Sequence, residues 1–152
     1  MPISSEDTEL VKGIYVLHIH LPEEQEITLG RRQNVRFLSG YYAYIGSALN
    51  GLNSRLNRHL SKDKKFHWHI DYLLEKAFIR QIITSETEDR IECALAQALL
   101  RRFDFVSGFG ASDCRCSSHL IFSNWEMKGS IMTAFSSLGV TPVLSPIRIS
   151  EE

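Results

Sequence analysis

A change of hydrophobic period inside one short stretch, residues 41–59 (YYAYIGSALNGLNSRLNRH), constrains this chain more than any other feature. Alternation by twos sets Tyr42, Tyr44 and Gly46 on one face and Tyr41, Ala43 and Ile45 on the other, the pattern of a strand. Ser47 to Asn50 carry turn and cap chemistry, and Gly51 admits backbone angles that other residues avoid. Leu52, Leu56 and Leu60 then recur every fourth residue, the apolar stripe of a helix. Arg55 and His59 are also four apart and, at about 100° per residue, lie beside that stripe. A strand therefore feeds a helix that docks its leucines and aims a guanidinium and an imidazole toward the end of the tyrosine strand.

Upstream, residues 1–10 read as a polar arm and Val11 to Leu21 as a first strand, in which Gly13, Tyr15 and Leu17 share a face. Pro22 to Glu24 turn the chain, Glu26 to Arg31 alternate, Gly30 breaks them, and Val35 to Leu38 form a further short strand. Downstream, HWHIDYLLEKA has Ile70, Leu73, Leu74 and Ala77 at helical spacing, and Phe78 to Thr84 is β-rich. The spacing predicts a helix from about Asp89 to Arg102, with Ile91, Leu95, Ala96, Leu99 and Leu100 on the docking half and Glu92 among them. An ionised carboxylate there is costly unless it is paired or binds a metal. Residues 103–118 read as a long loop, His119 to Ser123 as a strand, Met127 to Leu138 as a helix stopped by Gly139, and Val143 to Ile149 as an edge strand.

A chain of 152 residues, 43% of them apolar, fits one globular domain over residues 11–150. No stretch approaches the roughly 18 apolar residues of a membrane span, and MPISSEDTEL lacks the regions of a signal peptide. Three cysteines, two of them two apart, make a poor disulfide framework, so a cytoplasmic protein without a membrane partner is expected. The net charge of −1 gives no support for nucleic-acid binding, but its distribution does. Residues 31–65 hold eight basic side chains, Arg31, Arg32, Arg36, Arg55, Arg58, Lys62, Lys64 and Lys65, against one acid, Asp63. Such a patch suits a phosphate backbone, and an acidic remainder limits non-specific adhesion. His67 and His69 continue it.

With Gly13-Ile14-Tyr15 on one strand, Tyr44-Ile45-Gly46 on another and Arg55 and His59 following, the chain resembles the GIY-YIG nuclease superfamily. KKFHWHIDYLL and GFGASDCRCSSHL are similar to the signatures of a small stand-alone branch whose members are sometimes joined to endonuclease III-type repair proteins. The resemblance covers roughly residues 12 to 122 and implies an α/β fold, a small, mainly antiparallel sheet flanked by helices. Tyr15 and Tyr44 are 29 positions apart, farther than in most relatives, so an inserted strand or hairpin between the motifs is expected, one that could widen the sheet.

The resemblance also implies a metal-dependent endonuclease acting on DNA, with RNA left open, in repair or on branched and structured DNA, and with a DNA-repair protein as a partner. Glu92 would hold one Mg²⁺, for which Mn²⁺ could substitute, since a hard ion takes carboxylate oxygen and stays largely hydrated. Arg55 would stabilise the phosphate, and Tyr15 or Tyr44, as phenolate or through a bridging water, would activate the attacking water with His59 accepting or orienting. Because a tyrosine pKa is near 10, the metal, Arg55 and a nearby lysine would have to favour ionisation. Ser47 stands directly after YIG and joins Arg31, Arg32, Arg36, Arg58, Lys62, Lys64, Lys65, His67 and His69 as a nucleic-acid contact. Tyr42 is expected to serve packing. The asparagine that relatives carry some 12 to 15 residues beyond the metal glutamate has no counterpart in this chain; Asp104 sits at one such spacing, and Asp113 is an alternative polar group.

Asp113, Cys114, Cys116 and His119 form a separate cluster, read as a hydrogen-bonded loop clamp in preference to a structural zinc site, because zinc usually takes four ligands and wider cysteine spacing. His67, His69 or Cys93 would complete a zinc site. Two rival readings remain: a non-catalytic nucleic-acid-binding module on the same scaffold, and a small zinc-stabilised interaction domain. Oligomeric state is left open.

Overall fold

The structure, a computed structural model, describes residues 11–30, 33–48, 50–66, 68–107, 109 and 116–145. Arg31, Arg32, His67, Asp113 and Cys114, the proposed arm at 1–10 and the end of the last expected strand lie outside the described residues. The elements run β1 (Gly13–Leu21), β2 (Gln25–Leu29), β3 (Gln33–Phe37), β4 (Gly40–Ala48), α1 (Leu52–Leu60), α2 (His69–Lys76), β5 (Phe78–Glu86), α3 (Glu92–Leu100), β6 (Asp104–Phe105), β7 (Leu120–Ser123), α4 (Lys128–Ser137) and β8 (Val143–Leu144). The expected α/β class holds, with a six-stranded sheet ordered β6-β7-β4-β1-β5-β8 in which each pairing is antiparallel.

β1 is the central strand because eight of its nine residues are buried, so it reads as an apolar run between two layers rather than an alternating surface strand. Tyr15, Leu17 and Ile19 join Tyr42, Leu52, Leu56, Ile70 and Leu73 in one core, under α1 and α2. Ile14 and Val16 join Ala43, Ile45, Leu95, Leu99, Ile131 and Phe135 in the other, under α3 and α4. Burying each such aliphatic side chain is worth about 1.5–3 kcal/mol, so both faces are strongly held.

The inserted segment between the two tyrosine motifs is a hairpin, but it does not widen the main sheet. β2 and β3 pair only with each other, and β2 packs on α2 through Ile27 and Leu29. The helix expected from Asp89 begins instead at Glu92, because β5 continues to Glu86 and a local turn, Asp89 N–H to Thr87 Oγ1 at 3.0 Å, uses the polar residues first. The long loop contains the two-residue strand β6, and the last strand is two residues long within the described part.

Candidate active site

The register of β1 with β4 decides whether the two tyrosines share a site. Leu17 lies opposite Tyr44 and Tyr15 opposite Gly46, so both phenols occupy the α1 face, as the alternation in each strand requires. Gly46 is needed there. A Cβ at that position would strike the Tyr15 phenol, so the glycine is the space into which the ring folds. Gly13 serves α1 similarly, since a Cβ there would lie 2.6 Å from the Leu52 side chain and 2.5 Å from the Ser85 carbonyl.

With Leu52 and Leu56 docked, the next turn of α1 carries His59 inward. Its imidazole is 3% exposed, and Nε2 lies 2.7 Å from the Tyr15 hydroxyl. Tyr44 meets the same imidazole edge-on with ring centroids 6.0 Å apart. Nδ1 of His59 is buried without a hydrogen-bond partner among the described residues. Burial, with Lys64 adding, lowers the His59 pKa to about 3, so the ring is neutral at physiological pH.

Burial also raises the Tyr44 phenol to about 12 and pushes Tyr15 well above its ordinary range, where Tyr44 adds to the rise. Arg55 acts on both in the direction the sequence suggested, but burial outweighs it. Lys64, a lysine close to the site, acts on His59. A resting phenolate therefore does not suit this site, and the neutral pair Tyr15–His59 is its stable form. Tyr42 has the packing role expected of it, donating to the Leu38 carbonyl at 2.6 Å.

Arg55 donates to the Ser47 carbonyl at 3.3 Å and lies 4.6 Å from the Trp68 ring centre. Arg58 lies 4.1 Å from the same ring, so one indole carries two guanidinium contacts. Arg58 is further held by Asp71, which is 0% exposed and accepts from both guanidinium nitrogens at 2.9 and 2.8 Å. Asp71 also accepts the Trp68 backbone N–H at 2.9 Å, which satisfies an orphan donor at the start of α2. Lys64 donates to the carbonyls of Arg58 at 3.3 Å and His59 at 2.9 Å and stands 3.9 Å from Asp71.

Arg58 and Lys64 are thus engaged in holding α1 to α2. Lys62, Lys65 and His69 are exposed, with Lys65 giving its carbonyl to Arg58 at 3.1 Å and His69 meeting Phe109 at 5.9 Å. Arg36 is an exposed residue of the separate hairpin and pairs with Glu24 at 3.4 Å. Phe109, from the glycine-rich signature, is buried against Tyr44, and its carbonyl accepts the His119 N–H at 2.7 Å.

Sequence reasoning missed Asp71, Trp68 and Phe109. The wheel argument that singled out Glu92 applies equally to Asp71, which sits between Ile70 and Tyr72 on a helix whose buried residues are Ile70, Asp71 and Leu73.

Glu92 opens α3 with its Oε2 buried and lacking a hydrogen-bond partner among the described residues. An unsatisfied carboxylate oxygen in such a place fits a hard cation. The helix follows β5 by one short turn, from the end where Glu86 pairs with Gly13 and Gly13 with Ala48, the Tyr15–Gly46 end of the sheet. The titrating group on which its charge bears is His119, whose pKa burial lowers and Glu92 raises. The main charges bearing on the tyrosines are instead Arg55, Arg58 and Asp71. Asp104 lies on β6, opposite Phe122 at the far edge of the sheet.

The family whose model matches residues 14–140 is described as a domain of unknown function, DUF123. No curated protein and no solved structure matches the chain. No helix among the described residues is long and apolar enough to cross a membrane.

Proposed function

The chain belongs to the DUF123 family, and from that premise we propose that it is a GIY-YIG-type endonuclease hydrolysing phosphodiester bonds in DNA. The observation that carries the reading is the convergence of Tyr15, Tyr44, His59 and Arg55 on one face of the sheet, with the phenol of Tyr15 on the imidazole of His59 at 2.7 Å. In-line attack on a phosphodiester needs a proton acceptor beside the water and positive charge beside the phosphate oxygens. Arg55 supplies charge, its fork suited to two oxygens. The neutral pair supplies the acceptor: Tyr15 takes the proton of the attacking water as it passes its own to His59, so no free phenolate forms.

The phosphate's negative charge favours the imidazolium that results. Glu92 is the residue that would hold a divalent cation, Mg²⁺ or Mn²⁺, which when bound neutralises charge developing on the phosphate and leaving oxygen. Exposed Lys62, Lys65 and His69 are the described basic groups left for the DNA backbone. A repair context and a repair-protein partner accord with the sequence resemblance.

Glu92→Gln should abolish Mg²⁺- and Mn²⁺-dependent cleavage of branched or flapped DNA. Thermal unfolding of the metal-free protein should be unchanged or slightly later, since a half-buried carboxylate with one unsatisfied oxygen loses its charge. A variant that cuts at the parental rate would remove the cation from the reading. A non-catalytic nucleic-acid-binding module is the second reading, favoured by the bearing of Glu92 on His119 rather than on the tyrosines. Salt-dependent binding of the same DNA without cleavage under either metal would select it.

A further inference from the structure

The cluster that the sequence suggested as a loop clamp acquires a member in the fold. Cys93, on the first turn of α3, comes to lie beside Cys116 and His119, so that the two Sγ atoms and one imidazole nitrogen all fall within 4.8 Å of one another. Two of these donors come from the segment leading into β7, and the third comes from a helix far away in sequence. His119 is buried, and both thiols are half-buried.

The spacing is informative. For a tetrahedral zinc ion with Zn–S near 2.3 Å and Zn–N near 2.05 Å, a sulfur–nitrogen edge is about 3.6 Å and a sulfur–sulfur edge about 3.8 Å. Cys93 Sγ and His119 Nε2 are 3.7 Å apart, at that edge length. The donor set, two soft thiolates and one imidazole, suits zinc and is a poor match for Mg²⁺ or Ca²⁺, which prefer oxygen. Cys116 Sγ reaches the Cys93 carbonyl at 3.8 Å, so only a small movement separates the thiol pair from ligation.

We propose that Cys93, Cys116 and His119 bind a zinc ion, as three of its ligands, in a site separate from the tyrosine–histidine pair. The ion ties the start of α3 to the entry of β7. It thereby fixes the edge of β4, because the His119 carbonyl accepts the Ile45 N–H at 3.0 Å, next to the glycine that faces Tyr15. The site does not depend on the nuclease reading, and its test reads metal and thiols rather than cleavage.

The experiment uses the full chain, untagged, purified under reducing conditions without added metal. Elemental analysis should find about one zinc per chain, as for other Cys/His zinc sites. Replacing zinc by Co²⁺ should give the near-ultraviolet thiolate-to-cobalt band and the intense visible bands of a tetrahedral site. Cys93→Ser and His119→Gln should each lose the stoichiometric zinc. Should those variants fail to fold, native alkylation of the parent followed by mass spectrometry decides, with Cys93 and Cys116 shielded until a chelator removes the metal.

Protein without zinc that also gives no cobalt–thiolate band would overturn the site. So would a Cys93–Cys116 disulfide in its place, variants that fold and keep their zinc, or alkylation of both cysteines at the same rate before and after chelation.

Discussion

Replacing Asp71 with asparagine removes one charge from the contact that holds α2 against α1. Asp71 Oδ2 accepts from Trp68 N–H and from Arg58 Nη2, and Oδ1 accepts from Arg58 Nη1. In the variant one oxygen keeps the first two bonds, but the new amide NH₂ must point at Arg58 Nη1, donor against donor. Breaking one partner out of a buried ion pair costs about 3–5 kcal/mol. The Arg58 side chain is 26% exposed and recovers some hydration, which lowers the expectation to about 2–4 kcal/mol. For a chain of this size each kcal/mol moves the midpoint by about 2–4 °C, so Tm should fall by roughly 10 °C. Circular dichroism melts of Asp71→Asn, Arg58→Gln and the double variant form the assay. The double variant should lose less than the two single losses added, since neither partner is then left alone in the interior. A single-variant shift below about 2 °C, or strict additivity, would refute the reasoning.

Two further perturbations probe the pair beneath α1. His59 titrates near 6.5 when unfolded and at about 3 when folded, so the unfolded chain binds the proton first and stability is full above pH ~6.5 and lost as pH falls toward 3. At pH 4.5 this amounts to about 3 kcal/mol from His59, and His18, also lowered by burial, acts in the same direction. Urea midpoints compared between pH 7 and pH 4.5 should show the loss, and His59→Gln should shrink it; an unchanged slope would contradict the burial argument. Gly46→Ala drives a methyl into the Tyr15 phenol, so it should destabilise by about 1–3 kcal/mol and reduce cleavage more than Arg58→Gln does, as read by melts and a gel assay. Wild-type stability in Gly46→Ala would mean the ring has other room.

The strand-to-helix stretch was legible because period two and period four are local properties, and they place Tyr44, Arg55 and His59 correctly once β4 and α1 form. The pairing of Tyr15 with Gly46 and the burial of His59 follow from the same facing rules. The engagement of Arg58 and Lys64 could not be read in this way. Both look like phosphate ligands in a basic run until α2 brings Asp71 beneath them, and only tertiary packing decides which cations are already satisfied. The phenol pKa values depend likewise on burial that no spacing reveals. The two-stranded hairpin was visible as an insertion, but its separation from the main sheet depends on Ile27 and Leu29 finding α2 rather than a sheet edge. Cys93 stood in the sequence as one of three residues that would complete a zinc site, and the fold singles it out by bringing it beside Cys116 and His119.

The single-turnover rate of DNA cleavage by Arg55→Ala, relative to the parent protein at saturating enzyme and with Mg²⁺ present, tests the proposed site most directly. Arg55 gives the fold a 3.3 Å bond to Ser47, a contact with Trp68 and a hydrogen bond with Tyr15, all near its half-buried end, so its loss should lower the melt only slightly and leave the DNA affinity near the parental value. A transition-state contact is not shared in that way, and its removal should slow the chemical step by about 100-fold or more. A rate within twofold of the parent, or a parent that shows no metal-dependent cleavage, would contradict the account.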